Sequence, residues 1–150
     1  MNRAVVVAAL VVAILNAIPA VLGLWLWYRG HPSRAFWILL RIGQIAALAF
    51  AIFVGVLAVA GNYSSEHLFY LYALLPLAIA FVAEQIRITS AQTILDQRNL
   101  ADAQALGRLP ESEQHAIAAA ILTREMTIMA LSALVVVFLA LRAASTAHGF

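Results

Sequence analysis

The stretch HLFYLYALLPLAIAFVAEQIR, residues His67–Arg87, decides the fold. It is long and apolar enough to cross a bilayer, which takes about 20 residues in helical form. Pro76 lies near its middle, and the apolar run ends on Glu84 and Arg87. Beyond Arg87 the sequence becomes the most charged part of the chain. We therefore predict a membrane-spanning helix that leaves the bilayer near Glu84.

The composition of the whole chain also predicts a membrane location. Of the 150 residues, 65% are hydrophobic and 11% are charged, whereas soluble domains are about half apolar and about a quarter charged. The length favours a single integral membrane domain over residues 1–150. The formal net charge of +2 comes from arginine alone, and it is too small and dispersed to predict nucleic-acid binding. Because cysteine is absent, disulfides, thiolate catalysis and iron–sulfur clusters are excluded.

Four apolar runs predict four transmembrane helices. They cover about residues 4–28, 35–60, 67–87 and 123–142, and each approaches or exceeds the roughly 17–25 residues of a span. Since helices satisfy their own backbone groups in hydrocarbon, all four spans should be helical. The N-terminal run begins like a signal peptide, but it continues without a polar cleavage region. We interpret it as a retained first span.

Residues 88–122 predict a helical hairpin outside the membrane. Strong helix formers follow the third span, and no helix breaker precedes Gly107, which suits a helix C-cap. Pro110 suits the first turn of a new helix, which then runs into the fourth span. The fold prediction is therefore an all-α membrane protein. It is a four-transmembrane-helix bundle whose third and fourth helices extend into the cytoplasm as a hairpin.

The distribution of arginines predicts the orientation. Two arginines lie in the first loop, at 29–34, and several lie in or beside the third loop, at 88–122, whereas the second loop has none. Cytoplasmic loops of membrane proteins are enriched in arginine and lysine. We expect both arginine-rich loops to be cytoplasmic and both termini to be outside, in a plasma or inner membrane. Arg3, near the N-terminus, opposes this orientation.

Polar and ionisable side chains cluster at the predicted cytoplasmic ends of three spans. This set, the charged collar, comprises Arg41, Gln44, Glu84, Arg87, Arg124 and Glu125. Glu84 and Arg87 are spaced to pair on one helix face, and Glu125 is the expected partner of Arg41. Ionisable groups at membrane depth are candidate functional sites, although arginines near a helix end also extend to headgroups. Structural ion pairing, a partner or lipid-headgroup site, and proton or ion coupling at Glu84 all stay open.

Two features predict close packing between helices. The second span carries a small-residue stripe at four-residue spacing, formed by Gly43, Ala47, Ala51 and Gly55. Such a stripe lets another helix approach closely, either a span of the same chain or one from a second copy. Asn16 lies near the middle of the first span, where an interhelical hydrogen bond is expected.

No motif in the sequence predicts a metal site, a cofactor or catalysis. The four histidines are scattered, and no pair has metal-ligand spacing on one helix face. Glu84 and Glu125 come with arginines, which gives no specific support to acid–base catalysis. Phosphate-binding loops and nucleophile elbows are absent. We therefore expect no cofactor and favour a non-enzymatic role.

Three classes of function are compatible with these features. The favoured class is a membrane scaffold or accessory subunit that acts through helix–helix contacts with a protein partner or a second copy. The second class is a small oligomeric transporter or channel with Glu84 in its pathway. The third is a membrane anchor that binds quinone or haem. The lipid bilayer is the expected partner in all three.

Overall fold

The computed structural model describes residues 2–100 and 103–147. The helices are α1 (Asn2–Arg29), α2 (Arg34–Val59), α3 (His67–Gln97), α4 (Ala103–Leu106) and α5 (Glu111–Thr146). No strand occurs in these ranges, which confirms the all-α prediction.

Four of the helices, α1, α2, α3 and α5, are long and apolar enough to cross a membrane. They correspond to the four predicted spans, and this part of the fold prediction is confirmed. Large apolar side chains on each of them face outward. Val21, Ile45, Phe81 and Phe138 are each at least 60% exposed, a surface that suits lipid better than water. The described part of the chain is therefore consistent with a membrane protein.

The central helix of the bundle is α5. It packs along α1 on one side and α3 on the other, while α2 packs mainly against α1. Helices α1 and α5 are antiparallel, because Val5 shares a cluster with Ala143 whereas Gly23 lies against Ala130. Lipid tails are as apolar as leucine, so packing and hydrogen bonds hold such helices together more than apolar burial does.

The interior is filled in two layers. One layer, which holds the start of α1 and the end of α5, is rich in alanine and includes Phe50 and Phe69. The other layer contains Phe36, Met126 and Met129, all of them fully buried. Small alanines let the helices approach, and the phenylalanine and methionine side chains fill the wider spaces between them.

Asn16 joins α1 to α2. It is 2% exposed, and its Nδ2 donates to the Val12 carbonyl at 2.9 Å and to the Gly43 carbonyl at 3.1 Å. The predicted interhelical hydrogen bond is confirmed. A side chain at Gly43 would not fit, because a Cβ there would lie 3.0 Å from the backbone oxygen of Leu15 and 2.9 Å from Asn16 Oδ1.

The end of α3 differs from the prediction. The helix stops at Gln97, not at Gly107, because Asn99 adopts a left-handed conformation with φ of 55°. The Leu100 N–H then donates to the Leu95 carbonyl at 3.0 Å, the bond that defines a Schellman motif. Leu100 also packs on the cluster that contains Leu95, the hydrophobic contact that accompanies this motif.

Helices α3 and α5 nevertheless stay together beyond the predicted spans. Ile94 and Leu95 of α3 form a buried cluster with Ile117 of α5, and side chains from the connection around α4 pack against it. Helix α5 begins at Glu111, so Pro110 is its N-cap residue and not, as predicted, a residue of its first turn. In the first turn of α5, Gln114 Nε2 donates to the Leu109 carbonyl at 2.7 Å, which ties the helix start to the preceding connection.

Candidate functional site: the charged collar

Four ionisable side chains from α2, α3 and α5 form a chain of alternating charge. Arg41 Nη1 lies 2.9 Å from Glu84 Oε1. The second oxygen of Glu84 lies 3.0 Å from Arg87 Nε, and Arg87 Nη1 lies 3.8 Å from Glu125 Oε2. Two positive and two negative groups cancel, and Glu84 is bound on both sides. The arrangement ties three helices together at one level.

The local spacing of residues explains how the helices supply these groups. Glu84 and Arg87 are three residues apart on α3, which places them on one face of the helix. Arg41 follows Trp37 by four residues on α2, so both side chains point in the same direction. The Arg41 guanidinium also donates from Nη1 to Gln44 Oε1 at 2.7 Å, one turn further along. Gln44 thereby holds Arg41 in position for Glu84.

The ion pairs differ from the expected pairing at one point. Glu125 contacts Arg87, whereas Arg41 contacts Glu84. The reason is the order of the helices, since α2 has few contacts with α5 at any level. Glu84 on α3 lies within reach of Arg41 and is its ion-pair partner, the role that was predicted for Glu125.

Arg87 is the more enclosed of the two cations. Its side chain is 27% exposed, compared with 53% for Arg41. Its guanidinium carbon lies 5.5 Å from the ring centroid of Trp37, within the range of a cation–π contact. The Nε atom is buried and makes no hydrogen bond within the described residues. Its N–H is therefore not directed at the Glu84 oxygen 3.0 Å away, and that contact is an ion pair without hydrogen-bond alignment.

Arg124 lies apart from the rest of the predicted collar. It lines a groove beside Trp27 of α1, and it makes no ion pair among the residues that the structure describes. Successive residues on an α-helix point about 100° apart. Because Glu125 faces α3, its neighbour Arg124 faces a different side of α5.

The small-residue stripe of α2 is split between two environments. Gly43 and Ala47 are buried, and Gly43 meets α1 at Asn16. Ala51 is also buried. Gly55, in contrast, is exposed, and a Cβ built there would have no atom within 4 Å. The first part of the stripe therefore serves packing within the chain, while Gly55 opens on the outer surface.

Two residues of structural importance were not predicted. Trp37 covers Arg87, and its position one turn before Arg41 was the available signal. Gly23 allows α1 to cross α5, since a Cβ there would lie 2.6 Å from Ala130 Cβ. A glycine inside an apolar span was the signal for this second contact.

The structure offers no metal-binding group of three or more His, Asp or Glu side chains in residues 2–100 and 103–147. His148, one of the four histidines, lies outside that part of the chain. No known protein family, curated protein or solved structure matches this sequence or fold.

Proposed function

We propose that this chain is a multi-pass integral membrane protein that acts as a non-enzymatic scaffold or accessory subunit, through contacts between its helices and those of a partner. The observation that carries this proposal is the contrast between the collar and the outer surface. The four ion-paired groups of the collar neutralise one another, whereas the outer surface of α2 around Gly55 remains apolar and grooved. The chemistry left for interaction is therefore that of helix packing.

A transport role for Glu84 has less support. Both of its carboxylate oxygens contact arginines, so a proton or cation would have to displace an ion pair to reach it. The layer next to the collar is filled by Phe36, Met126 and Met129, each fully buried. The same filling leaves little support for a quinone or haem between the helices.

The surface best suited to a partner helix lies around Gly55. Ile52, Gly55, Val56 and Val59 line an apolar groove of about 450 Å³ on the outer side of α2. Glycine lets another backbone approach closely, and such sites favour helix association in membranes. The groove carries no charged side chain, so its partner should also be an apolar helix. A second copy of this chain would supply one.

Disulfide crosslinking tests this proposal cleanly because the natural chain has no cysteine. Val56→Cys puts a thiol on the groove and leaves Gly55 intact. Phe138→Cys is the matched control, since it is exposed on α5 at a similar level, where Val54 and Val136 share a cluster. We expect oxidation in membranes to give a dimer for Val56→Cys and little for Phe138→Cys. Adding Gly55→Leu should abolish the dimer.

Equal crosslinking at the two positions, or none at Val56→Cys, would reject the groove as a contact surface between copies. Insertion in the membrane is checked separately, by retention of the chain in the membrane fraction after alkaline washing. Release by that wash would reject the membrane proposal itself.

For the orientation, we propose that loops 29–34 and 88–122 are cytoplasmic and that both termini are outside. The arginine distribution supports this. Aromatic side chains mark the end of α1 as a membrane interface, and there the Arg29 guanidinium carbon lies 4.4 Å from the Trp25 ring centroid. The paired ends of α3 and α5 would then project from the bilayer on the cytoplasmic side.

A further inference from the structure

A second polar feature, separate from the ion-paired groups of the collar, lies where α1 ends and α5 continues. Trp27 of α1 and one face of α5 enclose a groove of about 660 Å³. The α5 side is formed mainly by small side chains, among them Ala119, Ala120 and Thr123, with Arg124 beside them. The groove exists because α1 stops at Arg29 and no longer covers this face of α5.

The charge of this groove is unbalanced. Arg124 is exposed and has no carboxylate partner in the described ranges. The adjacent Glu125 is directed to the other side of the helix, where it contacts Arg87. A permanent cation therefore stands next to an apolar concavity, and no carboxylate among the described residues pairs with it. Such a site is complementary to an anion that carries apolar chains.

The level of the groove is set by the crossing of α1 and α5. Gly23 lies against Ala130, and because the helices are antiparallel, Trp27 lies one turn further toward Arg124. Trp25 and Tyr28 occupy the same end of α1, and aromatic side chains of this kind mark the headgroup level of a bilayer. Arg124 is therefore at the depth of lipid phosphates, given the membrane location proposed above, on which this inference rests.

We propose that this groove binds an anionic phospholipid. The lipid phosphate pairs with the Arg124 guanidinium, a charge-assisted contact that arginine makes well. The glycerol and headgroup occupy the depression over Ala119 and Ala120, and the acyl chains follow the apolar side toward Ile128. An apolar partner helix fits this groove less well, because it would cover Arg124 without supplying a negative charge.

Native mass spectrometry of the full chain in mild detergent tests the proposal. The protein is titrated with phosphatidylglycerol, which is anionic, and with phosphatidylcholine, which carries the same phosphate but no net charge. We expect the first phosphatidylglycerol to bind more tightly than phosphatidylcholine. Arg124→Gln should weaken that binding about tenfold, or about 1.4 kcal/mol. Ala120→Leu, which fills the groove and keeps the cation, should weaken it similarly.

Arg142→Gln is the charge-matched control, since Arg142 is exposed at the opposite end of α5. It should leave the first phosphatidylglycerol site unchanged. Equal affinity of Arg124→Gln and the natural chain would overturn the proposal, and so would equal affinity for the two lipids. A dimer that Ala120→Leu disrupts, with lipid binding unaffected, would assign the groove to a second copy instead. If Ala120→Leu does not fold, the phosphatidylglycerol affinity of Arg124→Gln, compared with that of the natural chain, still decides the proposal.

Failure of the lipid proposal is distinguishable from failure of the proposed function. Loss of the lipid preference, with membrane insertion and the Val56→Cys crosslink intact, removes the lipid site and leaves the scaffold proposal standing. Failure to insert removes both.

Discussion

Gly43→Ala should destabilise the bundle, whereas the same change at Gly55 should not. A Cβ at Gly43 would lie 2.9 Å from Asn16 Oδ1 and 3.0 Å from the carbonyl oxygen of Leu15. The second of these atoms belongs to the backbone of α1, so no side-chain rotation relieves the contact. Helix α2 would have to move away from α1, and the Asn16–Gly43 hydrogen bond of 3.1 Å would lengthen.

The magnitude follows from three terms. Overpacking costs about 1–3 kcal/mol, and loss of an interhelical hydrogen bond in a membrane costs about 0.6 kcal/mol. Alanine has a higher helix propensity than glycine, which stabilises the variant by about 1 kcal/mol. The net loss at Gly43 is therefore about 0.6–2.6 kcal/mol by these rules. At Gly55, where a Cβ meets nothing within 4 Å, the propensity term acts alone and the change should be neutral or stabilising.

Reversible unfolding in mixed micelles measures the difference. Both variants and the natural chain are titrated with a denaturing detergent, and helix content is followed by circular dichroism. Gly43→Ala should unfold at a lower detergent fraction than the natural chain, and Gly55→Ala at the same or a higher fraction. Identical transitions for the two variants would refute the close approach of α2 to α1 at Gly43.

Three further comparisons of variants test other contacts by the same unfolding measurement. Arg87→Ala should cost about 1–3 kcal/mol, because it leaves the partly buried Glu125 carboxylate unpaired, whereas Arg41→Ala, at a more exposed ion pair, should cost less than about 1 kcal/mol. Equal losses would contradict the central position of Arg87. Gly23→Ala should lower the free energy of unfolding, because its Cβ would clash with Ala130 where α1 crosses α5, and adding Ala130→Gly should restore part of that loss. If the losses of the two single changes simply add in the double variant, direct contact between these positions is contradicted. Asn99→Ala should cost about 1 kcal/mol because Asn99 has a left-handed backbone conformation, whereas Asn99→Gly should be tolerated. A larger loss of stability for Asn99→Gly than for Asn99→Ala would contradict the Schellman motif at the end of α3.

The positions of the spans could be predicted from the sequence because membrane helices are defined by length and apolar composition. Two helix ends were also readable, since Gly30 and Gly61 adopt positive φ just beyond α1 and α2. The end of α3 could not be read from the sequence in this way. Asn99 performs there the role that glycine performs elsewhere, and asparagine is a weaker signal for a left-handed cap.

The charged collar shows where sequence reasoning reaches its limit. Depth along the helices follows from counting residues, and it grouped side chains that the structure brings to one level. Direction around a helix depends on which neighbour it packs against, which the sequence alone did not supply. For this reason Arg124 was grouped with Glu125 although they face different sides of α5, and Glu125 was assigned to Arg41 although it contacts Arg87.

Thiol accessibility tests most directly the central claim that the chain crosses the membrane several times, with the ends of α3 and α5 paired on the cytoplasmic side. Single cysteines replace Tyr63 in the second loop, Gln97 at the end of α3, and Phe138 on the apolar surface of α5. All three positions are exposed in the folded chain. A membrane-impermeant maleimide is applied to intact cells and to lysed cells.

We expect Tyr63→Cys to be labelled in intact cells, Gln97→Cys to be labelled after lysis alone, and Phe138→Cys to be labelled poorly in both. Labelling of Gln97→Cys in intact cells with protection of Tyr63→Cys would reverse the orientation. Labelling of Phe138→Cys as readily as the loop positions would contradict a lipid-covered surface, and with it the proposal of a membrane-spanning bundle.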